Sequence, residues 1–487
     1  MGFVVRNPEY RAGTVHPDPC FMTAREQSAA LRRRELSARE LVAAHLAQID
    51  RVNPAVNAIV TLVAERALAE ADQADRRLAA GEPVGPLHGI PVAHKDTHDT
   101  TGIRTTYGSP TLVGNVPSAD ALIVARMRAA GVITIGKTNV PEFGAGSHTF
   151  NPVFGATRNP YDLTRSAGGS SGGAAAALAC GMHPLADGSD MGGSLRNPAS
   201  FNNVVGLRPA PGRVPSFPRL AAWATMGVDG PMARTVADLA LLLSVIAGPD
   251  ERSPIAIEQP GSVFAAPLER DLTGLRVAWA PDLGGAIPVD PAVRSVLESQ
   301  VAVFEDLGCR VEEASPDLSG AEEVFRTLRA WEFELILGGL LDRSRELLKP
   351  SLADNIEQGR RLRGRDIGRA EVLHTQLFHR MREFLTRYDV LALPVSQVPP
   401  FDVDLEYPTE IAGVPQESYV DWMRSCYLIS ATGLPALSVP AGFTQGGLPV
   451  GLQLVGRHRG EFALLQIGHA FEQATGFGRR RPGVVAP

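Results

Sequence analysis

The chain reads as an α/β protein, and three observations predict that class. Short apolar runs of strand length alternate with amphipathic stretches of helix length, most plainly from Leu275 to Glu312, and such alternation points to a sheet flanked by helices. Two boxes near the N-terminus, Thr23 with Glu26 and Ser37 with Glu40, have the spacing in which side chain and backbone satisfy each other's unpaired helix donors. Hydrophobic residues make up 44% of the 487 positions and charged residues 21%, enough apolar material for a sizeable core.

Taken in order, the chain opens with two amphipathic helices. After Ser37, the residues Leu41, Val42, Ala44, Leu46 and Ile49 recur at helical spacing. A third helix runs from about Val63 to Ala80 and stops at Gly81. Ile90 to Ala93 is a short strand ending at the polar triplet His94, Lys95 and Asp96. Residues 121–130 read as helix, Val132–Ile135 as strand, and the segment from Asn151 as a turn-rich loop. Val204–Val205 is a short strand before a proline-rich loop. Thr235–Ala247 is a strongly apolar helix, Leu275–Ala280 a strand, Ala292–Leu307 one amphipathic helix, and Cys309–Glu312 a strand. Residues 321–388 are mainly helical and more charged. Val390–Leu393, Ala436–Val439 and Leu452–Val455 read as strands, and Glu461–Thr475 as the last helix. There is no internal repeat and no low-complexity tail. Composition shifts most over 320–390, as in a helical cap inserted over a site.

Composition also excludes function classes. A net charge of −6 and only 6% aromatic residues give no footprint for nucleic acid or a membrane surface. Cys20, Cys180, Cys309 and Cys426 are widely spaced, so neither a zinc site nor a disulfide framework is expected. The N-terminal MGFVVRNPEYRAG lacks the apolar core of a signal peptide, and no run is long enough to span a bilayer. A cytoplasmic setting is the default expectation.

The densest local signal is Ser166 to Asn197. Gly168, Gly169, Gly172 and Gly173 surround Ser170 and Ser171, and Gly192 and Gly193 precede Ser194. Glycines around a hydroxyl allow close backbone approach, and successive N–H groups in such turns converge on an anion, as an oxyanion hole requires. A flexible linker is the competing reading. Against it stands Ala174–Leu178, an apolar run predicted to be a short buried helix holding both serine clusters together.

Three look-alikes fall away on context. Gly131 to Thr138 has the spelling of a phosphate loop, but its strand-like VITI lies where the loop belongs and Pro141 follows at once. Gly168 to Gly172 has the spelling of a nucleophile elbow. The preceding Leu163–Gly168 is a poor strand, and His183, His374, His379, His458 and His469 sit in no evident catalytic turn. His94, Asp96, His98 and Asp99 do not have a familiar metal-ligand spacing, and His98 with Asp99 read as a solvated loop. Lys95 differs, because it directly follows an apolar strand. Burial lowers a lysine pKa and makes it a candidate base.

GIPVAHKD (89–96), the spacing from GGSSGG to DMGGS, and ATGLPALSVPAG (431–442) together resemble the amidase signature family. The resemblance continues through residues 138–162, 194–209, 230–240, 388–394 and 447–456, and thins over 250–385. It implies a single α/β domain over 1–487, with a large mixed central β-sheet between helical layers and the cap at 320–390. It also implies a Ser-cisSer-Lys triad. Lys95 matches the base. Ser194 matches the nucleophile. Ser170, 24 residues earlier, matches the bridging serine in cis linkage to Gly169, with Ser171 the competing bridge. The backbone N–H groups of Met191, Gly192, Gly193 and Ser194 would stabilise the oxyanion. Asp190 and Arg196 would pin the turn, unless they are plain surface charges. Asn203 stands where members often carry Gly, and Asn tolerates the left-handed conformation.

The implied activity is cofactor-free cleavage of carbonyl C–N bonds through an acyl-enzyme. Small-molecule amides, aryl amides, carbamates and esters are the implied substrates, with no metal, and with a monomer or homodimer as the working form. The alternative within the family is an amidotransferase component that takes glutamine for tRNA-dependent amidation and works with partner proteins. A non-enzymatic scaffold would have lost a triad residue, and none is lost. For the specificity wall, Trp331, Phe333, Leu335, Tyr419 and Trp422 are candidates alongside ordinary core packing.

Overall fold

A computed structural model describes residues 18–486. The N-terminal segment that bears on a signal peptide lies outside the described residues. Both capping boxes form. Thr23 and Ser37 accept from the N–H groups of Glu26 and Glu40, whose carboxylates reach back, opening the helices Ala24–Arg32 and Ala38–Val56. Helix Ala64–Ala79 follows, and no helix among the described residues is long and apolar enough to cross a membrane.

The centre is an eight-stranded mixed sheet. Its order is Arg310–Glu313, Arg276–Trp279, Val390–Pro394, Pro449–Val455, Ala436–Phe443, Val205–Arg208, Val228–Ala233, Leu185–Asp190. The first three strands are mutually parallel and every later pairing is antiparallel. Helices cover both faces. On one, Gly468 of helix Glu461–Thr475 lies so close to the sheet that a Cβ would meet Leu437 at 2.4 Å. On the other, a Cβ on Gly451 would meet Ser200 of helix Arg196–Phe201 at 2.8 Å. Strands buried on both faces are why Val390–Pro394 and Ala436–Phe443 read as continuous apolar runs.

A second sheet of three strands, Ile59–Leu62, Ile133–Thr138 and Pro91–Lys95, brings Lys95 inward. Lys137 and Thr138 of the phosphate-loop spelling lie inside one of its strands, both fully buried. Helices Ala321–Ser344, Pro350–Arg360 and Gly364–Arg387 fill the region read as a cap.

Three details differ from expectation. The amphipathic stretch 292–307 is two helices, Pro291–Glu298 and Gln300–Asp306, broken at Ser299. Residues Asp162–Ser166, a poor strand by composition, do pair, in a two-stranded ribbon with Arg158–Asn159 away from the main sheet. Leu185–Asp190 and Val228–Ala233 are strands of the main sheet despite reading LADGSD and VDGPMA. Of their polar residues, Asp187 and Asp190 are buried and Ser189 and Asp229 half-buried, turned to the site instead of exposed.

Candidate active site

Lys95 ends its strand with its side chain fully buried. Its Nζ lies 2.8 Å from Ser170 Oγ and 2.9 Å from Ser189 Oγ. Burial pulls its ammonium from 10.5 down to about 7, although Asp229, Asp190 and Asp187 favour the charged form. A lysine at that value exchanges its proton near neutrality.

The Gly/Ser stretch is not a linker. Gly172–Ala179 is a helix with every residue buried. It packs so tightly that a Cβ on Gly173 would lie 2.4 Å from the Asn139 backbone nitrogen. The Gly169–Ser170 peptide is cis. The Ser171 N–H donates to the Ser194 carbonyl at 3.2 Å, so the two glycine-serine clusters are joined directly. Ser170, not Ser171, meets Lys95; Ser171 Oγ has no hydrogen-bond partner among the described residues.

Strand Leu185–Asp190 delivers the chain into the turn that carries Ser194. Asp190 accepts from the Gly193 N–H at 2.9 Å and the Leu195 N–H at 3.1 Å. Arg196 grips the same carboxylate through Nε at 3.0 Å and Nη2 at 2.9 Å. Arg196 also reaches the Cys426 carbonyl, Gln453 and Ser430, and Arg208 donates to the Asp190 carbonyl. All three charged side chains are fully buried, which removes the surface-charge reading of Asp190 and Arg196. Burial pushes the Asp190 carboxyl up, but Arg196 and Arg208 outweigh it and hold it well below the usual carboxylate range.

One expectation needs correction here. The Gly193 N–H is taken by Asp190, so it is not a free oxyanion donor. That leaves Met191, Gly192 and Ser194. Gly193 has a structural reason of its own: its φ is +123°, and a Cβ would lie 2.5 Å from Asn197 Nδ2. Asn203 sits at φ 56°, in the left-handed conformation asparagine tolerates.

His98 is a second correction. It is buried, not solvated, and its Nδ1 lies 2.5 Å from Asp187. Asp187 also receives His94 at 2.7 Å, and Asp229 lies 3.3 Å from His98 Nε2. Burial alone depresses the imidazole, but Asp187 and Asp229 prevail and raise it to about 9. Lys137 donates to the His98 carbonyl at 2.5 Å, which gives the phosphate-loop lysine a structural role. Asp99 remains half-buried and accepts from the Tyr107 hydroxyl at 2.8 Å.

Sequence reasoning missed Ser189, Asp187 and Asp229. A usable signal existed: Asp187 and Ser189 alternate on one strand, so both project to the face that Lys95 approaches.

Ser170 and Ser194 line a cavity of about 350 Å³. Its wall includes Arg329, Glu332, Phe333, Ile336 and Leu337, spaced as one face of helix Ala321–Ser344. Of the five candidates for a specificity wall only Phe333 lines it. Trp331 and Leu335 project from other faces of that helix, Trp422 is buried in a stack with Phe201, and Tyr419 stands behind Arg329. None of the histidines considered for the nucleophile elbow lines the cavity.

Ser170 and Ser194 line the cavity, Lys95 stands buried behind Ser170, and the comparisons with known proteins define the class as an amide-hydrolysing enzyme. The Amidase family model matches residues 40–465, and the chain belongs to that family, the amidase signature enzymes. It is 36% identical to an acylamidase of Rhodococcus erythropolis over 468 residues, covering 95% of this chain and 97% of the relative. It is 37% identical to a glutamyl-tRNA(Gln) amidotransferase component of Moorella thermoacetica over 499 residues, covering 95% and 98%. The crystal structure of a bacterial aryl acylamidase of the same family superposes with a TM-score of 0.89 at 28% identity, covering 94% and 97%.

Proposed function

We propose that this protein is an acylamidase-type hydrolase working through Lys95, Ser170 and Ser194. Neutral Lys95 accepts the Ser170 proton as Ser170 takes the proton of Ser194. Ser194 Oγ then adds to the substrate carbonyl. The oxyanion is met by the backbone N–H groups of Met191, Gly192 and Ser194. Collapse breaks the C–N bond while the relay returns a proton to the leaving amine, and the acyl group stays on Ser194 as an ester. Water, giving a proton to the same relay, hydrolyses that ester and frees the acid. Asp190 and Arg196 act as positioning residues that hold the turn.

The observation that carries this reading is the 2.8 Å contact between a fully buried lysine amine and Ser170, with Ser171 bonded to the backbone of Ser194. The resemblance to an acylamidase and an aryl acylamidase supports acyl amides and anilides as the substrate class. Carbamates and activated esters present the same carbonyl to the same nucleophile and fall within the proposal.

The amidotransferase likeness supports a second reading, in which the chain takes glutamine and works with partner proteins. A substrate screen separates the two. The purified chain is assayed alone against anilides, aliphatic amides, carbamates, esters and glutamine, with Ser194→Ala as control. Anilide turnover by the lone chain, lost in the control, supports the acylamidase. Turnover of glutamine alone supports the second reading, and activity that survives Ser194→Ala removes both.

A further inference from the structure

The cavity carries a cation that the hydrolytic relay does not use. Arg329 projects from helix Ala321–Ser344 into the cavity wall and is only 4% exposed. Its partners are poor for a buried charge. Nη2 donates to the Tyr419 hydroxyl at 2.8 Å, Nη1 meets the Met191 sulfur at 3.3 Å, and Nε has no acceptor among the described residues. A thioether is a weak acceptor. Nor does any carboxylate among the described residues lie within ion-pair distance. Glu332, on the same face, faces Arg219 at 3.6 Å. Asp190 belongs to Arg196 and Arg208, Asp229 to His98 and Ser216, and Asp99 to the Tyr107 hydroxyl.

The guanidinium is nevertheless held in a fixed plane. Its carbon stands 4.2 Å from the Phe333 ring centroid and 5.6 Å from that of Tyr419. The Tyr419 hydroxyl is fixed in turn by Asn355 at 3.1 Å. Stacking on ring faces restrains the plane, and each Nη nitrogen keeps a second N–H with no acceptor among the described residues. A buried charge without a counter-charge is destabilising, and a guanidinium fork matches a carboxylate in geometry and charge. The edge also touches Met191, one of the residues at the oxyanion turn, so an anion held there lies close to the reacting carbonyl.

We propose that Arg329 is the specificity-determining residue of this site and that it recognises a carboxylate carried by the amide substrate. This inference rests on the hydrolase reading above and names the substrate class within it: acyl amides bearing a free carboxylate near the scissile bond.

The test uses matched substrates with the full chain. On the acyl side, glutaryl-4-nitroanilide is compared with the neutral valeryl and cationic 5-aminovaleryl anilides. On the amine side, 4-acetamidobenzoate is compared with acetanilide. The carboxylate member is expected to have at least about tenfold higher kcat/KM in one arm, which also says on which side of the bond the anion sits. Arg329→Met should lower that member at least about tenfold more than its neutral match, and Arg329→Lys should restore part of the difference. Binding of the same ligands is measured by calorimetry to Ser194→Ala and to Ser194→Ala with Arg329→Met, a readout that needs no turnover. Carboxylate-selective binding lost with Arg329 supports the inference even if the nucleophile assignment fails. Equal or weaker handling of the carboxylate members in both arms, or an equal loss on all substrates in Arg329→Met, overturns it.

Discussion

Titrating Lys95 through its effect on turnover probes the chemistry most closely. A lysine at its ordinary 10.5 is neutral at pH 7 in roughly one molecule in 3000, while one at about 7 is neutral in about half. Burial against two serine hydroxyls therefore raises the population of the competent base about a thousandfold at neutral pH. The kcat/KM for a neutral anilide should rise with pH along a single-proton limb, with an apparent pKa of about 7, and flatten above about pH 8. The same shift has a stability consequence of definite sign. The unfolded chain binds this proton up to about pH 10.5 and the folded chain releases it near 7, so Lys95 weakens folding at neutral and acid pH, and the penalty fades as pH rises between those values. At pH 6 the penalty is of order 5 kcal/mol, reduced in any substitution by the serine hydroxyls left unpaired. Lys95→Met should thus lose activity yet resist urea better at pH 6, by about 2 kcal/mol. The assay is a paired pH–rate profile and urea unfolding series. A flat profile from pH 6 to 9, or a Lys95→Met protein that is active or less stable at pH 6, removes Lys95 from the role of base. A limb near 9 would shift the titrating group to His98.

Other consequences are equally direct. Ser170→Ala should cost at least about a hundredfold in kcat, whereas Ser171→Ala should cost less than about tenfold, because of these two serines Ser170 alone touches Lys95; comparable losses in steady-state assays would undo the relay assignment. Asp190→Asn leaves Arg196 and Arg208 buried without their anion, so urea unfolding should show a loss of about 3–5 kcal/mol. A loss below about 1 kcal/mol would mean that the turn does not depend on this network.

Much of this is legible in the residues. Strands such as Val390–Pro394 show themselves because both faces are buried, and the helices after Thr23 and Ser37 because their caps are local. Lys95, Ser170 and Ser194 stand out in the sequence because glycine spacing and strand ends are local features, while the roles expected of them come from the family resemblance. What stays hidden depends on contacts across the chain. Leu185–Asp190 and Val228–Ala233 lack β-favouring residues, since their faces serve the site. His98 looks solvated because the carboxylate that buries it, Asp187, lies 89 positions away. Arg329 gives no signal, because only the cavity face of its helix distinguishes it from neighbouring charges. The Gly193 N–H is the exception, since its acceptor Asp190 is only three residues away; its bond is hidden because the buried Arg196 and Arg208 hold that carboxylate over the turn.

The mechanism turns on acylation of Ser194. Reaction with an activated aryl ester, quenched in acid during the steady state and followed by intact-mass measurement and peptide mapping, tests it most directly. One acyl group per chain is expected, on the peptide containing Ser194 and absent in Ser194→Ala. An adduct on Ser170 or Lys95, or turnover of the ester with no adduct at any quench time under conditions where deacylation is slow, would contradict it.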